Sequence, residues 1–347
     1  MFSFVFDLNN SSRKYLHSID FLRGITALGV VVYHFLNHTD ASGDLLNNED
    51  SLKSASGILP SIVFIFFSLS GFVIAMSMHK NQFRLKNIGG FLARRWVRIE
   101  IPYVASIVVY LGIAIAWSIK DGSAVSVDFL QVFHHLFYTI PFTDYAWFNE
   151  IYWTLALEFQ FYILIALAFP FFNANNWMVR YGSLAAFSAL GLLIPDNRLL
   201  FQYAPMFVVG IVLYFHHFSA TKTHSFAWAL IALCLVQIGF TFDIAAALFI
   251  AASLILIPYS ISKKNLIVRI GKMGYSLYLI HGAAGGSFLY FLTKNELSTG
   301  ITYVAVVGAM LFSIGISYVF YRLIELPSIK GAGRISFGSK TSDSHDK

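Results

Sequence analysis

The chain has 347 residues and a formal net charge of +6, yet only 12% of its residues are charged and 57% are hydrophobic. An ordinary soluble domain is about a quarter charged, so this composition, with a mean hydropathy of +0.66, excludes one. The single cysteine, Cys234, excludes an intrachain disulfide and a cysteine-based metal site.

Long apolar runs recur from end to end, the pattern of a polytopic helical membrane protein; a membrane barrel would show short alternating segments instead. The runs predict an all-α fold of ten spans at about 20–37, 58–78, 99–117, 150–172, 177–194, 199–216, 225–241, 243–260, 273–292 and 301–324. The segment 126–140 is too short to span and reads as an interfacial or re-entrant helix. With an inside N-terminus, twenty of the 24 lysines and arginines fall inside, leaving Lys53, Lys120, Arg198 and Lys294 outside. That asymmetry predicts both termini in the cytoplasm. Basic residues spread through loops in this way are topology signals, which excludes a nucleic-acid partner. Arg13 and Lys14 before the first run, with no small-x-small cleavage pattern after it, predict an uncleaved signal-anchor.

The first run, IDFLRGITALGVVVYHFLN, holds Arg23 and His34, eleven residues apart. At about 100° and 1.5 Å per residue they lie about 20° apart on the helix and roughly 16 Å apart along it. Ionisable groups inside a bilayer are costly and point to function. Arg23 alone also suits a snorkelling anchor, with Asp20 three residues earlier on nearly the same face. A neutral imidazole at depth is a competent proton acceptor, and it equally suits a hydrogen bond between helices. In the second run, Ser70-Gly71 reads as a close-packing site, because the nucleophile elbow G-x-S-x-G is missing.

The loop before the third run reads NIGGFLARRWVRIEIPY, with Arg94, Arg95 and Arg98 clustered. A guanidinium pair at i, i+3 suits bidentate phosphate recognition and equally suits anionic lipid headgroups. The fourth run places Glu158 roughly 12 Å from its outer end, at a depth where it could meet His34 and orient the imidazole, while Glu150 reads as interfacial. In the ninth run Tyr275, Tyr278 and His281 form a polar stripe. Tyr138, Phe142, Tyr145, Trp147 and Phe148 in the outer loop 118–149 suit either stacking on sugar rings or an interfacial aromatic belt.

Taken in order, these segments resemble the membrane-embedded acyltransferase 3 family of bacterial O-acyltransferases. IDFLRGITALGVVVYHF is similar to its first-span Arg-x10-His motif, FFSLSGFVIA to its second-span motif, and ARRWVRIEIPY to its Arg-rich third-span entry. WTLALEFQFYIL, GYSLYLIH and YRLIELP resemble its later segments. The resemblance implies a membrane domain over 1–329, and the polar composition of the remainder predicts a disordered cytoplasmic tail over 330–347. It implies transfer of an acyl group, acetyl above all, from acetyl-CoA to a hydroxyl of an envelope or extracellular carbohydrate or glycolipid, without a metal, in the bacterial inner membrane. Within that frame His34, Glu158 and Arg23 are the expected catalytic set, and Arg94, Arg95 and Arg98 the expected CoA contacts. Tyr275, Tyr278, His281 and Trp153 are the expected substrate contacts. Buried His, Arg and Glu in a ten-span chain also fit a proton-coupled transporter or flippase of an envelope glycolipid. Oligomeric state is not legible.

Overall fold

The computed structural model describes residues 17–40, 43–122, 127–218, 224–259, 261–293 and 297–337. Arg13, Lys14, Lys222, Lys294, Lys340 and Lys347, which contribute to the charge asymmetry, lie outside the described residues.

Helices dominate: α1 (His17–Leu36), α2 (Ser51–Ser56), α3 (Phe64–Lys80), α4 (Ile88–Asp121), α5 (Phe129–Leu136), α6 (Trp153–Phe172), α7 (Trp177–Leu193), α8 (Leu200–Phe218), α9 (His224–Thr241) and α10 (Ile244–Leu256) come first. The last third contains α11 (Leu266–Lys272), α12 (Gly274–Ile280), a π turn (His281–Gly286) and α13 (Ser287–Thr293). It ends with α14 (Thr299–Phe320), a second π turn (Tyr321–Glu325) and α15 (Leu326–Arg334). The extended structure among the described residues is one antiparallel pair, β1 (Thr39–Asp40) with β2 (Gly43–Asp44). Among the described residues six helical stretches are long and apolar enough to cross a membrane: His17–Leu36, Ser51–Lys80, Leu85–Lys120, Glu150–Phe172, Leu200–His217 and Thr299–Arg334. The chain is therefore a polytopic helical membrane protein. Of the other four expected spans, three are shorter helices, α7, α9 and α10, and the fourth is broken by the first π turn.

Three local features position the interior. First, the arginine-rich stretch is helix and not loop, since α4 begins at Ile88 and continues through Pro102. Proline has no N–H to donate to the carbonyl four residues back. The freed Arg98 carbonyl instead accepts from Ser328 Oγ of α15 at 3.2 Å, and the neighbouring Ile99 carbonyl accepts from Tyr275 Oη of α12 at 3.0 Å. Second, α1 lies directly on α11, where a methyl added at Gly271 would stand 1.7 Å from the Asp20 carbonyl oxygen. Third, α3 lies equally close on α8, because Gly210 leaves room for the Ser68 carbonyl. Small residues that let backbones touch are the usual basis of helix association in membranes.

The expected disordered tail from residue 330 is corrected in part. Residues 330–334 continue α15, and Phe337 is buried against Phe83 and Phe91 with Arg94 over its ring. One aromatic in a polar stretch finds a core site and orders the chain up to it; residues 338–347 lie outside the described residues. The interfacial segment holds α5, too short to span. Its His135 Nδ1 donates to the Gln131 carbonyl at 2.9 Å, and its Nε2 accepts the Phe148 N–H at 3.0 Å. That pattern requires a neutral ring, and burial holds the His135 pKa below its ordinary value.

Substituting Gly271→Ala should separate α1 from α11 and cost about 1–3 kcal/mol, read as a lower Tm of the purified protein; an unchanged Tm would contradict the packing. Because folding favours neutral His135, its contribution is complete above about pH 6.5 and is lost as the pH falls below that value. Acidification should thus lower the Tm of the wild type more than that of His135→Gln, and equal slopes would remove this group as a cause.

Candidate functional site

Where α1, α3, α4, α6, α12 and the second π turn meet, they enclose a cavity of about 610 Å³. α1 contributes Asp20 and Arg23, whose charged atoms stand 3.8 Å apart. The α1–α11 contact at Asp20 fixes this end of the helix, so Arg23 is held toward the cavity. From α4 come Arg95 and Arg98, one helical face as their i, i+3 spacing dictates. Arg95 is buried, lies beside the Phe91 and Tyr162 rings, and its Nε has no hydrogen-bond partner.

α6 presents Glu158 to the same chamber. Its carboxylate accepts from Ser70 Oγ at 2.8 Å and from Tyr162 Oη. Glu158 also acts electrostatically on Arg95. Glu325, on the second π turn, is the other buried carboxylate of the wall. It accepts from the backbone N–H of Ser276 at 3.1 Å and from Ser276 Oγ at 2.5 Å, which satisfies a free donor in the first turn of α12. Its charge also acts on Arg98 and Arg23. The cavity is thus a basic chamber in which Glu158 and Glu325 are already hydrogen-bonded while the buried Nε of Arg95 is not.

At the far end the wall is Phe66, Thr154 and Tyr278. Tyr278 Oη lies 3.0 Å from the Ile151 carbonyl and 2.9 Å from Thr154 Oγ1. Beyond it, and outside the cavity wall, the rings of His34 and His281 lie side by side with centroids 5.2 Å apart. His281 Nδ1 faces the carbonyls of Leu277 and Tyr278 at 3.0 and 2.8 Å; both are acceptors, so the proton is assigned to Nδ1 and Nε2 is left as the basic nitrogen.

Six sequence-singled residues therefore share one chamber: Arg23, Arg95, Arg98, Glu158, Tyr275 and Tyr278. Four do not line it. Arg94 is one residue, about 100°, round the helix from Arg95 and covers the Phe337 ring. Trp153 packs on Phe67 and Tyr203. His34 and His281 form the separate pair. The expected meeting of His34 with Glu158 is corrected as well: the carboxylate whose charge acts on His34 is Glu150. Glu158 lies eight residues further along the chain, about 12 Å by helical rise. Ser70, read from sequence as packing alone, is a hydrogen-bond donor to that carboxylate. Of the outer aromatics, Tyr138 is turned inward onto Glu100 at 2.8 Å, and Phe148 stacks on His135. Glu100, Tyr162 and Glu325 escaped the reading, although each is a polar residue within an apolar run. Among the described residues no cluster of three or more His, Cys, Asp or Glu forms a metal site.

Residues 16–246, about two thirds of the chain, match the acyltransferase 3 family, described as an acyltransferase domain, and the chain belongs to that family. Over 167 residues it is 29% identical to the peptidoglycan O-acetyltransferase OatA of Listeria monocytogenes, a stretch that is 44% of this chain and 24% of the relative. The chain thus matches about a quarter of the length of that curated relative. No solved structure matches it. The protein is thus a multi-pass membrane protein of the acyltransferase 3 family.

Because Arg95 and Glu158 line the same chamber, both contact Tyr162, and Glu158 acts electrostatically on Arg95, Arg95→Met and Glu158→Gln should couple by about 0.5–3 kcal/mol in a double-mutant stability cycle. Strict additivity would show that the two charges do not interact.

Proposed function

We propose that the protein transfers an acyl group, acetyl above all, from acyl-CoA to a hydroxyl of an envelope or extracellular carbohydrate, in a bacterial inner membrane with both termini cytoplasmic. The observation that carries this reading is the buried Arg95 guanidinium, with an unpartnered Nε, beside Arg98 and Arg23 in a chamber of about 610 Å³. A buried donor without an acceptor costs about 1–3 kcal/mol. A phosphate ester of the donor would supply that acceptor, in the bidentate geometry that guanidinium groups favour. Lys272 at the chamber wall adds a further cation for the remaining phosphates.

With the phosphates at the arginines, the pantetheine arm extends toward Tyr278 and the His34–His281 pair. His34 then serves as the base. It takes the acceptor's hydroxyl proton as the new C–O bond forms, the C–S bond breaks, and the CoA thiolate leaves and is protonated. An acyl-histidine relay uses the same residue, with the histidine nitrogen attacking the thioester first. Glu150 is the carboxylate suited to stabilise protonated His34, while Glu158 belongs to the arginine end. The similarity to a peptidoglycan O-acetyltransferase supports acetyl transfer to a glycan hydroxyl.

Incubating the purified protein with labelled acetyl-CoA and candidate glycans should move label into alkali-labile ester. His34→Ala should abolish that transfer while leaving CoA binding intact; retained transfer would remove His34 from the mechanism. Accumulation of glycolipid in vesicles without esterification would indicate a carrier instead.

A further inference from the structure

The cavity stops short of the histidine pair. Tyr278 borders it on one side, and its ring lies 6.3 Å from that of His281 on the other. Phe66 meets Tyr278 edge to face at 5.7 Å, and Thr154 closes the third side. Any acyl group travelling from the arginine end to His34 therefore has to pass these three side chains.

They are not equally able to yield. Tyr278 is buried and tied through its hydroxyl to Thr154 and to the Ile151 carbonyl. Phe67, next along α3, is locked against Trp153, Tyr203 and Phe207. Phe66 makes no polar contact, is only half-buried, and packs against both hydrophobic clusters of the core, at the seam between them. It is the part of the barrier that can turn aside at the lowest cost in contacts. The π turn that follows α12, HGAAGG, adds little side-chain bulk beyond the barrier.

We propose that Phe66 and Tyr278 form a constriction between the chamber and the His34–His281 pair, and that Phe66 is the specificity-determining residue that sets the largest acyl group able to pass. This rests on the reading of the chamber as the acyl-CoA site. Tyr278 and Thr154 form the fixed sides, and the Phe66 ring sets the width. Short acyl groups such as acetyl pass, and longer chains are held back in the chamber with their thioester short of the base.

The test is transfer from acetyl-, butyryl- and hexanoyl-CoA by wild type and Phe66→Ala, with binding of each donor measured separately. The wild type should bind all three but transfer acetyl best. In Phe66→Ala the preference for acetyl over butyryl should fall by roughly tenfold or more, since each methylene admitted or rejected by an apolar passage is worth about 10–200-fold. Should that variant fail to fold, Thr154→Ser keeps the hydroxyl and removes one methyl, and should raise butyryl transfer relative to acetyl. Wild-type binding of all donors with an unchanged acyl preference in the folded variant overturns the constriction alone. A wild type that binds no acyl-CoA overturns the reading of the chamber, and the constriction with it.

Discussion

The site is organised by one buried cation. Arg95 sits among Phe91, Tyr162 and the hydrogen-bonded carboxylate of Glu158, with its Nε unsatisfied. Burying a guanidinium is expensive unless its donors are met, so the surrounding structure has to hold it in place. Pro102 releases the Arg98 carbonyl to Ser328, Tyr275 ties the Ile99 carbonyl to α12, and Glu325 fixes the start of α12. Three helical elements, α12, the second π turn and α15, are thereby locked around one face of α4, and the arginine pair faces a chamber in which Glu158 and Glu325 are already hydrogen-bonded.

Much of that ring comes from the chain beyond residue 246, where the match to the family ends. Lys272, Tyr275, Tyr278, Tyr321 and Glu325 all line the chamber. The matched segment alone supplies the arginines, Glu158 and His34, yet it leaves the chamber without a wall. The two π turns lie in this C-terminal part, one starting three residues after Tyr278 and the other carrying Glu325. Widened turns of this kind recur at functional sites.

The helical fold was legible because apolar run length is a strong signal, and the i, i+3 arithmetic brought Arg95 and Arg98 to one face correctly. Depth along a helix was less legible, because it depends on where packing sets each helix relative to its neighbours. Glu158 and His34 looked level from the sequence, but it is Glu150, in the 3-10 turn Glu150–Tyr152 before α6, whose charge acts on the histidine, while α6 brings Glu158 to the arginines. The first turns of α4 were read as loop because charged residues suggest an interface, whereas a helix can continue through them. Ser70 looked like packing since its partner is 88 residues away. Phe337 could not be told from the polar tail around it, because its pocket is assembled from α4 and the loop after α3.

The central claim, that Arg95 waits for an anion carried by the donor, is tested most directly by thermal unfolding with and without CoA. Ligand that binds only the folded state raises stability as its concentration exceeds Kd, by about 2.7 kcal/mol at a hundredfold excess. Wild type should show that rise in Tm. Arg95→Met should lose most of it, while its ligand-free Tm stays equal to or above that of the wild type, because an unsatisfied buried cation has been removed. An undiminished CoA-induced rise in Arg95→Met would contradict the account.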